Sequence, residues 1–440
     1  MTVGGRYPED SFTWLLGIED TCVYPANADG AILDEHTLTG HRENWRKDLT
    51  LAKKLGARAI RYGVSWPVVH VAPGVFDWAE LDEVFQFAVK ELGLDIVADL
   101  VHYGTPPWLA DSFADPGYPD AIEAFAGALA ERYRDMVWQF TPLNEPITTA
   151  SFCGLRGVWP PNLTGWGGWV SVAVPIAIGI VRTMRAIRAV QPNATIVHVE
   201  AASLISADHS DLIDHADFLR MVGWIPTDLI TGRVDPQSTA WAWLLDNGAA
   251  EDDLRWLQSN GALPDVMGVN YYPDLTPRRL ENVDGEILQV SYDRWTQGFR
   301  EAVAAFGERY SLPLIVTETS IEGDDDLRAD WLRASVAEIS LLRAEGHDIR
   351  GFTWWPLFDF VDWSWASGGQ NVEEFAVAHV REDGTTRVAA APPLGNPADG
   401  KGPFLRRMGL VRLDEQADST LTRVPTAAAW EFRRLSEQQP

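Results

Sequence analysis

Eight short apolar segments, separated by stretches with helical periodicity, constrain the fold of this chain more than any other feature. Their apolar residues run almost continuously instead of alternating with polar ones, which is typical of parallel strands covered on both faces. The predicted strands are residues 12–20, 57–66, 95–104, 137–146, 195–201, 265–273, 313–320 and 349–359.

The stretches between these strands repeat apolar residues three and four positions apart, as one buried face of a helix requires. Such faces are formed by Leu81, Val84, Phe85, Ala88 and Leu92, and by Ile122, Phe125, Leu129 and Tyr133. Eightfold alternation of strand and helix predicts an α/β protein with a (β/α)8 TIM barrel. We expect residues 1–440 to form one domain, with the Gly- and Pro-rich segment 366–407 as a long loop, ordered as a lid or not.

The composition limits the partners of the chain. Its 36 Lys and Arg against 63 Asp and Glu give a net charge of −27, so nucleic acid and anionic membrane surfaces are not expected partners. No segment reads as a run of about 20 apolar residues, so no membrane span is expected. The first residues lack a basic segment followed by an apolar one, and Cys22 and Cys153 are the only cysteines. We therefore expect a cytoplasmic protein without disulfide bonds.

Polar residues at the ends of the predicted strands indicate where chemistry takes place, because TIM barrels carry it at the carboxyl ends of their strands. These residues are Glu19, Asp20, Arg61, His102, Glu145, Glu200, Asn270, Tyr272, Glu318 and Asp362. Glu145 follows the fourth strand and Glu318 the seventh, which we place on opposite sides of the barrel mouth. Two facing carboxylates are what glycoside hydrolysis requires.

Six motifs in this order resemble those of glycoside hydrolase family 1 and its clan of barrel glycosidases. They are "RYGVSWP", "LVHYGTPPWL", "LNEP", "GVNYY", "IVTETS" and "GFTWWPLFDFVDW". The resemblance covers almost the whole chain. The chain is also similar to glycosidase-like modules fused ahead of sugar-nucleotide reductases, although no Gly-rich dinucleotide fingerprint follows here.

The resemblance implies a retaining β-glycosidase that acts on a small-molecule glycoside without metal or cofactor. Glu145 would be the general acid/base, in a site drier and shorter of cations than that of Glu318. Glu318 would be the nucleophile, kept ionised by Arg61 and hydrogen-bonded by Tyr272. Asn144 would bind the sugar 2-hydroxyl and Trp355 would be the platform under the ring. Further substrate contacts are implied for Glu19, His102, Asn270, Asp362 and Trp363.

Four positions depart from the pattern of the family. Pro142 replaces a Thr, Asp362 replaces a Glu that grips sugar hydroxyls, Glu19 or Asp20 stands where a Gln is expected, and "TETS" replaces "TENG". We therefore expect weak activity on plain glucosides and none on 6-phosphoglucosides.

Other functions are compatible with the same scaffold. A catalytically silent sugar-binding barrel would keep the pocket, and a transglycosidase would pass the sugar to another acceptor. A metal-dependent barrel hydrolase is set aside, because "GIEDTCV" offers no His-x-His pair after the first strand. Glu145 would serve only structure if it merely capped the next helix, and Glu200 is expected to play a supporting role.

Overall fold

Eight parallel strands close into a barrel in a computed structural model that describes residues 7–8, 11–27, 29–283, 285–367 and 405–438, with the backbone of 376–380 and 386–390. The strands follow one another around the barrel in chain order, and the eighth pairs with the first. They are β1 Thr13–Gly17, β2 Ala59–Gly63, β3 Asp95–Asp99, β4 Gln139–Thr141, β5 Thr195–Ala201, β6 Val266–Asn270, β7 Leu314–Glu318 and β8 Ile349–Trp354. The predicted TIM barrel is confirmed.

The positions of β4 and β7 differ slightly from the prediction. Only β5 and β6 lie between them, so they are three steps apart around the eight-stranded ring, where strands on opposite sides would be four steps apart. Residues at their carboxyl ends still converge on one mouth, because all strand pairs of the barrel are parallel.

The inside of the barrel is apolar at its base and charged at its mouth. Small and branched side chains fill the base, namely Leu15, Ala59, Val97, Val197, Val199, Val266 and Ile315, closed from below by Tyr7. Side chains two residues apart on a strand point to the same face. Arg61 and Asp99 therefore continue the inward rows begun by Ala59 and Val97, and they lie one layer closer to the mouth.

Helices connect the strands and cover the outside of the barrel. The principal ones are His41–Lys54, Ala79–Gln86, Tyr118–Arg132, Gly165–Val190, Ile213–Ile230, Trp295–Tyr310, Asp325–Ala344 and Ala427–Ser436. Shorter helices are Glu35–Leu38, Trp66–Val69, Pro146–Ala150, Thr239–Asp246 and Glu251–Asn260. The predicted helical faces are buried, since Leu81, Val84, Phe85 and Ala88 pack inside and Ile122, Phe125, Leu129 and Tyr133 do the same.

One helix contradicts the expectation that no segment has the length and composition of a membrane span. Gly165–Val190 has 26 residues and is apolar enough to cross a bilayer on that basis, but 67% of its most apolar window is buried inside the protein. It packs on Tyr118–Arg132 so closely that a Cβ on Gly179 would lie 2.7 Å from the ring of Tyr118. These contacts are those of a core helix.

Long segments after β5, β6 and β8 build a second sheet beside the mouth of the barrel. Its five strands lie in the order Leu204–Ala207, Pro277–Val283, Glu286–Ser291, Ala376–Val380 and Thr386–Ala390. The last two lie within the segment predicted as a loop without strands, so that prediction is wrong for these residues. Residues 368–375, 381–385 and 391–404 lie outside the described part of the chain.

Candidate active site

Glu145 occupies a sharp turn between β4 and the short helix Pro146–Ala150. Its φ of 42° lies in the left-handed region, which a residue other than glycine seldom adopts. Glu145 stands at the N-cap position of the helix, yet its side chain makes no capping hydrogen bond. The carboxylate is therefore directed into the barrel mouth, and the alternative of a simple helix cap does not apply.

The partners of Glu145 are two neutral donors. The Tyr103 hydroxyl donates to Oε2 at 2.7 Å and the Asn270 amide donates to Oε1 at 2.7 Å. Asn270 is oriented in turn by Thr317, whose hydroxyl donates to its Oδ1 at 2.6 Å. No cation contacts Glu145 among the hydrogen bonds of the described residues, as predicted. The predicted drier surroundings are not found, because Glu145 is 6% exposed and Glu318 only 3%.

Glu318 ends β7 and meets a cation. The Arg61 guanidinium donates to its Oε1, and the Tyr272 hydroxyl donates to its Oε2 at 2.7 Å. Both contacts agree with the arrangement that the sequence predicts for a nucleophile.

Burial nevertheless dominates the ionisation of Glu318. Loss of water contact raises the pKa of this carboxyl to about 8. Arg61, His102 and Tyr272 act to lower the pKa, whereas the charge of Glu145 raises it further. The expectation that Arg61 keeps Glu318 ionised is therefore wrong for the empty pocket at neutral pH. The two carboxyl groups act as a coupled pair that holds one proton there.

Arg61 is the centre of a buried network below the pocket. Beyond Glu318 it donates to Asp99 and, at 2.6 Å, to Oδ1 of Asn144. Its guanidinium lies over the ring of Trp355, 4.6 Å from the centroid. Burial acts to lower the pKa of Arg61, but the carboxylates of Asp99, Glu318 and Asp20 outweigh it and raise the pKa.

Asn144 is saturated by protein partners. Its Oδ1 accepts from Arg61, and its amide nitrogen lies 2.9 Å from the Tyr103 hydroxyl and 3.0 Å from Nε2 of His102. The side chain is 0% exposed. A contact with a sugar 2-hydroxyl stays a prediction, and it requires Asn144 to give up one of these bonds.

His102 lies between Asn144 and two carboxylates. Its Nδ1 is 2.7 Å from Oδ1 of Asp20 and 3.1 Å from Oδ2 of Asp99. Burial lowers the pKa of His102, but these two acids raise it well above its usual value. The Asn144 amide facing Nε2 opposes a second ring proton, so the hydrogen bonds assign the proton to Nδ1. Burial also raises the pKa of Asp20, to about 6.

The grouping of Asp20, Asp99 and His102 resembles a set of metal ligands. However, the Arg61 guanidinium donates to Asp99, and Nδ1 of His102 faces both carboxylates. These side chains supply the positive charge that the two buried acids require. The donor set therefore suits a closed network of protein groups better than a cation.

A cavity above this network is the place where a sugar ring fits, and we call it the sugar cavity. Its wall contains Glu145 and Glu318 with six further residues that concern a substrate, namely Glu19, His102, Tyr272, Trp355, Asp362 and Trp363. Arg61, Asn144 and Asn270 are not in the wall, and they position residues that are. Trp363 Nε1 is buried without a hydrogen-bond partner in the described part of the chain, which suits a sugar hydroxyl.

The acidic residues at one end of the sugar cavity are already engaged. Glu19 accepts from Thr21 and, at 3.0 Å, from Nε1 of Trp355. Asp362 accepts from the Ser364 amide at 2.8 Å and from Arg406 at 3.2 Å. Glu19 is the wall residue of the pair left open by the sequence, since Asp20 lies below it against His102 and Gly63.

Several site residues were not predicted. Tyr103 directly follows His102 in the motif "LVHYG", and its φ of 70° places its hydroxyl between Asn144 and Glu145. The motif contained this signal. Arg406 joins the wall from far along the chain, and it pairs with both Asp362 and Glu322. No local pattern in the sequence points to that position.

Comparison with known proteins gives the same assignment. The family model of "Glycosyl hydrolase family 1" matches residues 29–390. The aryl-phospho-beta-D-glucosidase BglC of Bacillus subtilis is 23% identical over 405 residues, covering 79% of this chain and 83% of that protein. The bifunctional beta-D-glucosidase/beta-D-fucosidase of Bifidobacterium breve is 23% identical, with 80% and 87% covered. The structure of the Thermotoga maritima beta-glucosidase with azafagomine superposes with a TM-score of 0.75 at 18% identity, over 97% of this chain and 98% of that one.

The raised pKa of Glu318 predicts a pH-dependent stability. Glu318 holds its proton up to about pH 8 in the folded protein, whereas an unfolded Glu loses it near about pH 4.3. The folded state thus binds more protons between these values, and its free energy of unfolding falls as pH rises. Glu318→Gln lacks this effect. Urea denaturation from pH 5 to 8 should show the variant gaining on the wild type by about 1.4 kcal/mol per pH unit.

The control for simple charge removal is Glu415→Gln, which alters an exposed carboxylate on the hairpin Val411–Glu415/Leu421–Pro425. Parallel stability curves for the wild type and Glu318→Gln over this range would contradict the raised pKa.

Proposed function

The chain belongs to glycosyl hydrolase family 1 and is a glycoside hydrolase, and from this premise we propose that it is a retaining β-glycosidase cleaving small β-glycosides. One observation supports the proposal above all. Two carboxyl groups face the same sugar cavity, and only Glu318 contacts a guanidinium, while Glu145 contacts neutral donors.

The contacts of each carboxyl group suit one role in double displacement. In the first step Glu318 attacks the anomeric carbon as the bond to the leaving oxygen breaks, and Glu145 gives that oxygen its proton. In the second step Glu145 takes a proton from water, which attacks the same carbon and releases Glu318. The reactive form thus carries the shared proton on Glu145 and the charge on Glu318, where Arg61 and Tyr272 stabilise it.

The remaining network holds these groups in place. Tyr103 and Asn270 fix both oxygens of Glu145, so its strained turn keeps one orientation. Asn144 connects Arg61 on the nucleophile side to Tyr103 on the acid/base side. A ring seated on Trp355 would meet Glu318 from one side and Glu145 near its leaving group.

We also propose that the sugar is neutral and is not glucose. Both oxygens of Asp362 already accept from protein donors, so a hydroxyl that a longer Glu would reach is left unmatched. An unpaired buried polar group costs about 1–3 kcal/mol. Three carboxylates, from Glu19, Asp362 and Glu322, surround the single Arg406 at this end, which disfavours a sugar phosphate despite the phospho-glucosidase names of some relatives.

Retention is tested by following the anomeric protons during hydrolysis of a β-glycoside. Proton NMR of the first product should show the β anomer, with the α anomer arising only later by mutarotation, because two displacements restore the starting configuration. An early α product would exclude a covalent intermediate on Glu318.

The sugar preference is tested by kcat/KM across β-glucoside, galactoside, fucoside, xyloside, mannoside and 6-phosphoglucoside with one leaving group. The glucoside should lie about tenfold below the best neutral substrate, corresponding to one unmatched polar group. The phosphosugar should not react. Asp362→Glu should narrow the gap, since it restores the missing reach. A clear preference of the wild type for the glucoside or the phosphosugar would contradict this assignment.

A further inference from the structure

A second and larger cavity lies beside Glu145, and we call it the outer cavity. Its volume is about 410 Å³, within the range of about 300–1,000 Å³ that holds drug-sized ligands. It shares Glu145, Tyr272, Leu275 and Trp363 with the sugar cavity. Because Glu145 protonates the departing oxygen in the proposed reaction, a group in the outer cavity is the aglycone. The assignment of this cavity to the aglycone therefore rests on the proposed function.

The wall of the outer cavity is mainly apolar and aromatic. Phe152, Trp166, Trp169 and Trp363 contribute rings, and aliphatic side chains from the second sheet and from helix Ile213–Ile230 complete the surface. Trp166 and Trp169 pack edge to face, with ring centroids 6.4 Å apart. Such a surface favours a bulky apolar group over a second sugar, whose hydroxyls need more hydrogen-bond partners.

The charge of this wall is opposite to that of the chain as a whole. The protein has 63 acidic against 36 basic residues, yet the described wall of the outer cavity contains Arg156, Arg278 and His215, and its only carboxylate is the catalytic Glu145. The sugar cavity differs, because Glu19 and Asp362 lie in its wall beyond the catalytic pair.

The two guanidinium groups are held against the wall. Arg156 lies over the ring of Phe152, 4.4 Å from the centroid. Arg278 donates from Nη1 to Gln289 Oε1 and from Nε to the Leu275 carbonyl, each at 3.3 Å. A planar guanidinium with further N–H groups binds a carboxylate well and retains its charge at every relevant pH.

We propose that the aglycone is a bulky apolar group, larger than one aromatic ring, that carries a carboxylate or a similar anion. The apolar body packs on the four aromatic residues, and the anion binds Arg156 or Arg278. The enzyme thereby distinguishes a neutral sugar from a negatively charged leaving group by the opposite charges of its two cavities.

The test compares three β-glycosides of the best sugar, carrying 2-naphthyl, 6-carboxy-2-naphthyl and 4-nitrophenyl groups. The wild type should hydrolyse the carboxylated naphthyl compound with a kcat/KM at least about threefold above that of the neutral one. Added salt should reduce this preference, because it screens charges near the surface. This comparison requires no variant, so a failure to fold does not affect it.

Arg156→Gln and Arg278→Gln identify the anion site. At least one should lower kcat/KM for the carboxylated compound by about tenfold and leave the neutral naphthyl and nitrophenyl compounds within twofold. Arg58→Gln is the matched control, since it makes the same change on a side chain 67% exposed at the opposite end of the barrel.

Equal rates on the two naphthyl compounds, or variants that slow both of them equally, would overturn the proposal. Hydrolysis of the nitrophenyl compound alone would also overturn it while leaving the glycosidase function intact. If no β-glycoside reacted, the proposed function itself would fail.

Discussion

The active site depends on the contact between Arg61 and Glu318 inside the barrel. Arg61 is fully buried, and a guanidinium in that position must be surrounded by acceptors. Glu318, Asp99 and Asn144 provide them, and Trp355 covers the remaining face. Removing one partner of a buried ion pair typically costs about 3–5 kcal/mol, so fold and site require the same contact.

The two carboxyl groups of the site become different because of this contact. Glu318 is adjacent to the cation, and Glu145 lies on the far side of Asn144 with only hydroxyl and amide donors. Burial raises the pKa of Glu318, and the charge of Glu145 adds to that effect. One proton is therefore held by the pair in the empty pocket, and a bound substrate must bring it to Glu145. The same division extends outward to an acidic sugar cavity and an outer cavity with basic side chains.

Much of this arrangement follows from the sequence because the barrel turns order along the chain into position in space. Each strand end supplies one rim residue, so Arg61, Glu145, Tyr272 and Glu318 were predicted together. Long-range geometry was not accessible in this way. Arg406 reaches Asp362 from a distant segment, and Asn144 and Asn270 point behind the wall because their amides meet Arg61, Tyr103 and Thr317. The balance between burial and Arg61 at Glu318 likewise depends on the packing of the whole mouth.

The division of roles between Glu145 and Glu318 is tested most directly by a series of aryl β-glycosides whose leaving groups differ in pKa. Glu318→Ala should lose turnover on every member, because no covalent intermediate forms. Glu145→Ala should lose most on poor leaving groups and little on the first step of good ones, which depart without protonation. Equal losses of the two variants across the whole series would contradict the account.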